Sequence, residues 1–117
     1  MSIEKRDLVR LRKISEYCDD IATVQAEFGM SEEVFMDDPH YQKIIAFDVL
    51  QIGELVAALS DEFKDSHSAM PWRQIKDLRN RIAHHYGIVN FQILWSVVIE
   101  DIPELQAYCL EVISKEI

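Results

Sequence analysis

Apolar side chains recur at three- and four-residue steps along most of the chain, which is the spacing of an α-helix with one buried face. The first such run covers residues 4 to 28, and Gly29 follows it. Its apolar positions are Leu8, Leu11, Ile14, Cys18, Ile21, Val24 and Phe28. The pattern predicts one long amphipathic helix that stops at the glycine.

A second long helix is predicted after a short one. Ser31 is a suitable cap for a short helix through Phe35, and Asp38 followed by Pro39 is typical of a helix start. The apolar periodicity then continues to about Phe63. Residues 64 to 70 are polar and are expected to form a loop.

The apolar stripe of this second helix is wide, which indicates burial on more than one side, either at the centre of a bundle or at an oligomer interface. Gly53 lies in its middle, where glycine costs about 1 kcal/mol relative to alanine. Close approach of another helix would explain a glycine at this position, and the alternative is that the helix simply tolerates it. Glu54 beside it is either a solvated edge residue or a carboxylate of a functional site.

Two further helices complete the predicted fold. Pro71 opens the third, which ends in a polar motif, and Asn90 caps the fourth. Pro103 is expected to kink or restart that last helix. With 49% hydrophobic residues, 28% charged residues and only 3 glycines, the 117 residues suit one all-α domain. We predict a single antiparallel bundle of four to five helices spanning residues 1–117, able to dimerise.

Charge and cysteine content limit which functions and which cellular location the sequence favours. The formal net charge of −9 disfavours tight binding to long generic nucleic acid, so an RNA role requires a local basic patch. Cys18 and Cys109 follow no metal-ligand spacing and are expected to be buried, reduced thiols. The start of the chain has no signal-peptide pattern, and no apolar run is long enough to span a membrane. The expected location is therefore the cytoplasm. Two local basic patches are present: Lys5, Arg6, Arg10, Arg12 and Lys13, and Arg73, Lys76, Arg79 and Arg81.

The densest group of chemically competent side chains is the stretch from Arg79 to Gly87, Arg-Asn-Arg-Ile-Ala-His-His-Tyr-Gly. On an ideal helix Arg79 and Tyr86 nearly eclipse, whereas Arg79 and His84 point about 140° apart. The latter two could converge if the helix unwinds near His84, or if a second copy of the chain supplies the partner group. Gly87 is the expected place for the helix to end.

These residue types suit proton transfer on a phosphodiester. Histidine titrates near neutral pH, and arginine donates two parallel charged hydrogen bonds to phosphate. The adjacent His84 and His85 cannot easily hold one ion together, so we expect no metal site. The few glycines cannot build a nucleotide-binding loop, and no cofactor is expected. On spacing alone, a helix end with a polar cluster remains the alternative.

The motif resembles that of the HEPN superfamily, and within it the Arg-x-x-x-x-His-x-Tyr pattern of HepT-like ribonuclease toxins. Arg79, His84 and Tyr86 fit this pattern, and Asn80 fits the polar residue that often follows the arginine. The adjacent His85 leaves open which histidine acts, although spacing favours His84.

Other segments share the resemblance, which extends from about residue 38 to 110. They are the Ile52-Gly53-Glu54 triplet in the second long helix, Pro71-Trp72 at the start of the motif helix, and Leu94-Trp95 through Ile102-Pro103. The possible cleft or interface residues are Gly53, Glu54, Trp72, Arg73 and Lys76.

The resemblance implies an all-α homodimer that cleaves RNA without a metal, with Arg79 and His84 as catalytic residues in a cleft shared by two protomers. Asn80 and His85 would support them. It also implies a toxin of a type VII-like toxin–antitoxin pair, whose partner is a MntA-like nucleotidyltransferase antitoxin. That partner would transfer AMP to Tyr86, although a packed helix-end aromatic is the ordinary interpretation of this residue. The alternatives are a non-catalytic HEPN interaction subunit of a nucleotidyltransferase and a purely structural bundle.

Overall fold

A computed structural model describes residues 3–84 and 88–116, with the backbone alone described at residues 79, 83, 84 and 88. In these ranges the chain forms α1 (Lys5–Phe28), α2 (Glu32–Asp37), α3 (Pro39–Ala58), α4 (Asp61–Ser66), α5 (Trp72–Lys76) and α6 (Leu78–Ile82). Two short strands follow, β1 (Ala83–His84) and β2 (Ile88–Val89). The chain then forms α7 (Phe91–Ser96), a π-helical turn (Val97–Asp101) and α8 (Ile102–Ser114).

The prediction of an all-α bundle is confirmed. Helix α1 packs against both α3 and α8. Both pairs are antiparallel, because each joins the start of α1 to the end of its partner helix. The Ser60 amide, beyond the end of α3, donates to the Asp7 carboxylate near the start of α1, and the Ile3 amide before α1 donates to the Glu116 carboxylate beyond the end of α8. The short helices α2 and α4 connect these longer ones, and α5 and α6 pack on α3.

The predicted caps are confirmed at three helix starts. Ser31 accepts a hydrogen bond from the Val34 amide at 3.4 Å, and Asp38 accepts from the His40 amide at 2.9 Å, with Pro39 in the first turn of α3. Asn90 accepts from the Ile93 amide at 3.1 Å. Each cap satisfies an amide that has no partner within its own helix.

The predicted extent of the second long helix was wrong. Helix α3 ends at Ala58, and a separate helix α4 begins after Ser60, within the residues predicted as helix, and ends at Ser66, inside the expected loop. The physical reason is a long-range contact. The buried carboxylate of Asp7 accepts hydrogen bonds from the Ser60 amide at 2.9 Å and from the Ser60 hydroxyl at 2.6 Å. These bonds hold the chain extended at Ser60 and interrupt the helix.

The core is formed by aromatic and aliphatic side chains between α1, α2, α3 and α7. Phe35 is fully buried, and its ring centroid lies 5.0 Å from those of both Tyr41 and Trp95. The thiols of Cys18 and Cys109 are free and buried, and burial raises the pKa of each to about 12. They are therefore protonated at neutral pH and unreactive, as the sequence indicated.

Within the ranges that the structure describes, no helix is both long and apolar enough to cross a membrane.

Candidate active site

The motif lies where helix α6 gives way to a short β-hairpin. Helix α6 ends at Ile82, and the Ile82 carbonyl accepts a hydrogen bond from the Asn90 amide at 2.6 Å. Strand β1 pairs with β2 in antiparallel register, with Ala83 opposite Val89 and His84 opposite Ile88. The hairpin therefore closes directly on the end of the helix, and Asn90 then caps α7.

The expectation that the helix continues to Gly87 was wrong, because it ends five residues earlier, at Ile82. Arg79 lies inside α6, whereas His84 lies in strand β1. The angle of about 140° that an ideal helix would impose on these two residues therefore does not apply. The side chains of Arg79 and His84, and the whole of His85, Tyr86 and Gly87, lie outside the described part of the structure.

A junction at Asp77 joins α5 to α6. Its carbonyl accepts hydrogen bonds from the amides of Asn80 at 2.9 Å and Arg81 at 3.1 Å, and its carboxylate accepts one from the Asn80 side-chain amide at 2.8 Å. Asn80 is exposed, and its hydrogen bond to Asp77 holds its side chain toward the start of α6. Asn80 thus supports the backbone that carries Arg79.

The basic residues around the motif differ in their pairing. Arg81 forms an ion pair with Asp101, at 3.3 Å, and its charge is thereby partly neutralised. Arg73 and Lys76 are exposed on α5, and no carboxylate of the described residues lies within 4 Å of either. The free positive charge before the motif therefore comes from α5, while Arg81 belongs to the contact between α6 and the π-helical turn.

Trp72 is a core residue and not a surface residue of the site. It is only 6% exposed, and its indole N–H donates to the His67 carbonyl at 2.9 Å. Its ring packs on Phe63 and Tyr108, with centroids 5.6 Å and 5.9 Å away. The tryptophan anchors the start of α5 and so positions the basic residues that follow.

Gly53 lies where α3 passes the backbone of α5. A Cβ atom placed on Gly53 would lie 3.8 Å from the Ile75 carbonyl oxygen and 4.0 Å from that of Lys76. Helix α5 therefore packs against α3 at this point, as predicted, but these are ordinary contact distances, so the packing does not itself require glycine. Glu54, the next residue, is exposed on the outer side of α3.

The buried carboxyl group of Asp48, which lies beside the exposed Asp20, was not predicted. Asp48 on α3 is only 4% exposed, and none of the described groups donates a hydrogen bond to its Oδ2 atom. Burial raises the pKa of Asp48 to about 8, with a hydrogen bond to Asp20 and the negative charge of Asp20 adding to the effect. The only sequence signal was a carboxylate inside an apolar stripe.

No group of three or more His, Cys, Asp or Glu side chains in residues 3–84 and 88–116, as far as their side chains are described, is arranged to hold a metal ion.

Comparison with known proteins gives a consistent result. Residues 10–112 match the family model described as "Ribonuclease HepT-like". The chain is 36% identical over 88 residues to "Putative RNase TTE0752" of Caldanaerobacter subterraneus subsp. tengcongensis, covering 75% of this chain and 79% of the relative. It is 31% identical over 100 residues to "Probable ribonuclease HepT" of Thermococcus cleftensis, covering 81% of this chain and 91% of the relative. No solved structure gives a significant match.

Proposed function

Because the chain belongs to the family of HepT-like ribonucleases, we propose that it is a metal-independent endoribonuclease whose catalytic residues are Arg79 and His84. The observation that carries this proposal is the family match over residues 10–112, which includes the whole motif. The end of α6 at Ile82 supports it, because it frees His84 from the helical position that would point it away from Arg79.

The chemistry needs two proton transfers and one fixed cation. One imidazole takes the proton of the 2′-hydroxyl, and the resulting oxygen attacks phosphorus. The bond to the 5′-oxygen breaks, and a second, protonated imidazole gives that oxygen its proton. Guanidinium groups stabilise the negative charge that builds up on the phosphoryl oxygens. The products are a 2′,3′-cyclic phosphate and a 5′-hydroxyl.

One protomer supplies a single Arg79 and a single His84, so we propose that the active form is a homodimer with both motifs in one cleft. The outer face of α3 supports this. Ile44 and Phe47 are 36% and 56% exposed there, so this face of α3 presents two large apolar side chains to solvent. Helices α5 and α6, which carry the motif region, pack on the same α3, and the α5 backbone passes close to Gly53. We propose that pairing through the outer face of α3 brings the two motifs into one cleft.

We further propose that a MntA-like nucleotidyltransferase antitoxin silences the enzyme by transferring AMP to Tyr86, as in a type VII-like toxin–antitoxin pair in the cytoplasm. The added phosphate would place negative charge beside the cations that the RNA phosphate needs, and the nucleotide would fill the cleft. Intact-mass spectrometry after co-expression of the two proteins tests this step. An AMP adduct is expected on the wild type and not on Tyr86→Phe.

Cleavage of RNA by the purified, unmodified chain tests the catalytic proposal. We expect activity that survives EDTA and yields 2′,3′-cyclic phosphate ends. Arg79→Ala and His84→Ala should each lower the rate by about 10²-fold or more, whereas His85→Ala should retain most of it. An inactive wild type, or variants at Arg79 and His84 that cleave as well as it does, would contradict the proposal.

The net charge of −9 favours a second candidate, a non-catalytic subunit that presents its surface to a nucleotidyltransferase. Expression of the chain alone in cells separates the two functions. Growth inhibition that disappears in His84→Ala supports the ribonuclease. Normal growth, together with stable binding to the nucleotidyltransferase, supports the subunit.

A further inference from the structure

A groove with a basic lining lies between α4 and α5, and α5 directly precedes α6, the helix that contains Arg79. Its volume is about 420 Å³. Lys64 from α4 and Arg73 and Lys76 from α5 line it, together with the side chain of Trp72. Lys64 is distant from α5 in sequence, so only the fold reveals that these three cations share one surface.

The three cations are available to a ligand. In the part of the chain that the structure describes, none of them has a carboxylate within 4 Å, although Asp61 and Asp65 also line the groove. Lys64 donates only to the Ala57 carbonyl, at 3.4 Å.

The basic patch on α1 differs, since two of its members are engaged with carboxylates. Arg6 pairs with Glu4 at 3.2 Å, and Arg10 pairs with Asp7 at 3.7 Å. In a chain with a net charge of −9, unpaired cations that converge on one groove favour an anionic ligand.

The groove leads toward the motif. Arg73 and Lys76 on α5 precede Arg79 on α6 in the sequence. Asp77 links the two helices, since its amide donates to the Arg73 carbonyl at 3.0 Å and its carbonyl accepts from the Asn80 amide at 2.9 Å. Six residues of chain span at most about 22 Å even when fully extended, so the backbone of Arg79 lies within that distance of Arg73. An RNA strand that extends beyond the cleavage point is therefore long enough to reach the groove.

The walls of the groove suit a phosphate backbone better than a base. Trp72 is only 6% exposed and its N–H is already bonded to the His67 carbonyl, so the ring cannot stack on a nucleobase. Arginine binds phosphate through two parallel hydrogen bonds and lysine binds it as a point charge, neither of which reads sequence.

We propose that the groove formed by Lys64, Arg73 and Lys76 binds the phosphate backbone of single-stranded RNA that flanks the cleavage point. This inference rests on the proposed ribonuclease function and extends its substrate site beyond the motif. The groove lengthens the bound strand without adding sequence preference, so it should strengthen binding of long RNA more than that of very short RNA.

Binding can be measured separately from cleavage on a His84→Ala background, with a single-stranded 20-mer and a tetranucleotide of RNA at several salt concentrations. The triple variant Lys64→Gln/Arg73→Gln/Lys76→Gln should bind the 20-mer at least about tenfold more weakly. The slope of log affinity against log salt should become shallower by about 2, because each lost phosphate contact on a single strand contributes about 0.7. The tetranucleotide should lose less affinity than the 20-mer.

The matched control is Lys5→Gln/Arg12→Gln/Lys13→Gln, which removes the same charge from exposed positions on α1. It should bind the 20-mer like the parent protein. If both triple variants lose the same affinity, the effect is one of overall charge and the proposal is overturned. If the groove variant binds RNA normally but loses the nucleotidyltransferase, the ligand is a protein and the proposal is again overturned.

The two proposals fail in different ways. A wild type that cleaves no RNA refutes the ribonuclease, whatever the groove variant does. A wild type that cleaves RNA, combined with unchanged RNA affinity in the groove variant, refutes only the groove.

Discussion

Two buried aspartates differ in whether their carboxylates have hydrogen-bond partners. Asp7 is buried but fully engaged, because Ser60 supplies two hydrogen bonds and Arg10 an ion pair. Asp48 is buried beside Asp20, with its Oδ2 atom lacking a donor. The first carboxylate holds two helices together, whereas the second opposes folding whenever it is ionised.

Asp48 should make the stability of the fold depend on pH. Its pKa is about 8 in the folded protein against a usual value of 3.8, because burial and the neighbouring Asp20 disfavour its charged form. Between these values the folded chain holds a proton that the unfolded chain has lost, so the free energy of unfolding falls as pH rises from about 4 to about 8. Urea unfolding of the wild type and Asp48→Asn across this range measures the effect.

The Asp48→Asn variant should be more stable than the wild type at pH 8 and should lose most of this pH dependence. The amide has nearly the shape of the acid, stays neutral, and can donate a hydrogen bond to Asp20. Asp61→Asn is a suitable control, because Asp61 is exposed and should leave the profile unchanged. Parallel profiles for Asp48→Asn and the wild type would contradict this account.

Gly53 allows a test of how closely α3 and α5 pack. The space around it accepts one methyl group at ordinary contact distance, since the nearest carbonyl oxygens would lie 3.8 Å and 4.0 Å away. Gly53→Ala should therefore raise the free energy of unfolding by up to about 1 kcal/mol through helix propensity. Gly53→Leu should lower it, because the larger side chain must displace α5. Urea unfolding of both variants checks the prediction, and equal effects of Ala and Leu would show that the helices do not pack closely there.

At the scale of elements, the sequence was informative wherever structure depends on near neighbours. The extent of α1 and the caps at Ser31, Asp38 and Asn90 were predicted correctly because each depends on residues within one helical turn. The break between α3 and α4 was missed because it depends on Asp7, which lies 53 residues from Ser60. Local periodicity carries no information about such a contact.

The structure of the motif region also could not be predicted from local periodicity. The density of Arg, His and Tyr drew attention to residues 79 to 87, but two-residue strands are too short for a period-two pattern to be detected. The hairpin was therefore predicted as helix, and the end of α6 was placed at Gly87 instead of Ile82. Likewise, Arg73 and Lys76 could be selected from sequence, whereas the contribution of Lys64 needed the packing of α4 beside α5.

The cap at Asn90 should stabilise the start of α7 directly after the motif hairpin. Its side chain accepts a hydrogen bond from the Ile93 amide, while its own amide donates to Ile82. Asn90→Ala should lower the free energy of unfolding by about 1 kcal/mol, and Asn90→Asp should retain most of the stability because a carboxylate accepts the same bond. Thermal and urea unfolding measure both. A loss of the same size in Asn90→Asp would mean that the side-chain cap is not responsible.

At the scale of the whole molecule, the distribution of exposed apolar side chains separates two surfaces. Phe47 is 56% exposed on the outer face of α3, near Ile44, and Leu110 is 50% exposed on α8. Helix α3 also packs against α5 and α6, whereas α8 packs mainly against α1 and the π-helical turn. The two residues are thus similar in exposure but differ in their relation to the motif.

Charge placed on these two surfaces should therefore have different effects on assembly and activity. Phe47→Glu should convert the proposed dimer to monomer, because two carboxylates would face each other across a two-fold interface in place of two rings. RNA cleavage should fall with it, since each monomer would retain only one Arg79 and one His84. Leu110→Glu should leave both the mass and the cleavage rate unchanged.

Sedimentation equilibrium and RNA cleavage at matched protein concentrations test the pair. A monomeric wild type that cleaves RNA would contradict the shared cleft, and so would a monomeric Phe47→Glu with full activity. A Leu110→Glu variant that dissociates would instead place the interface on α8, away from the face through which α3 contacts the motif helix.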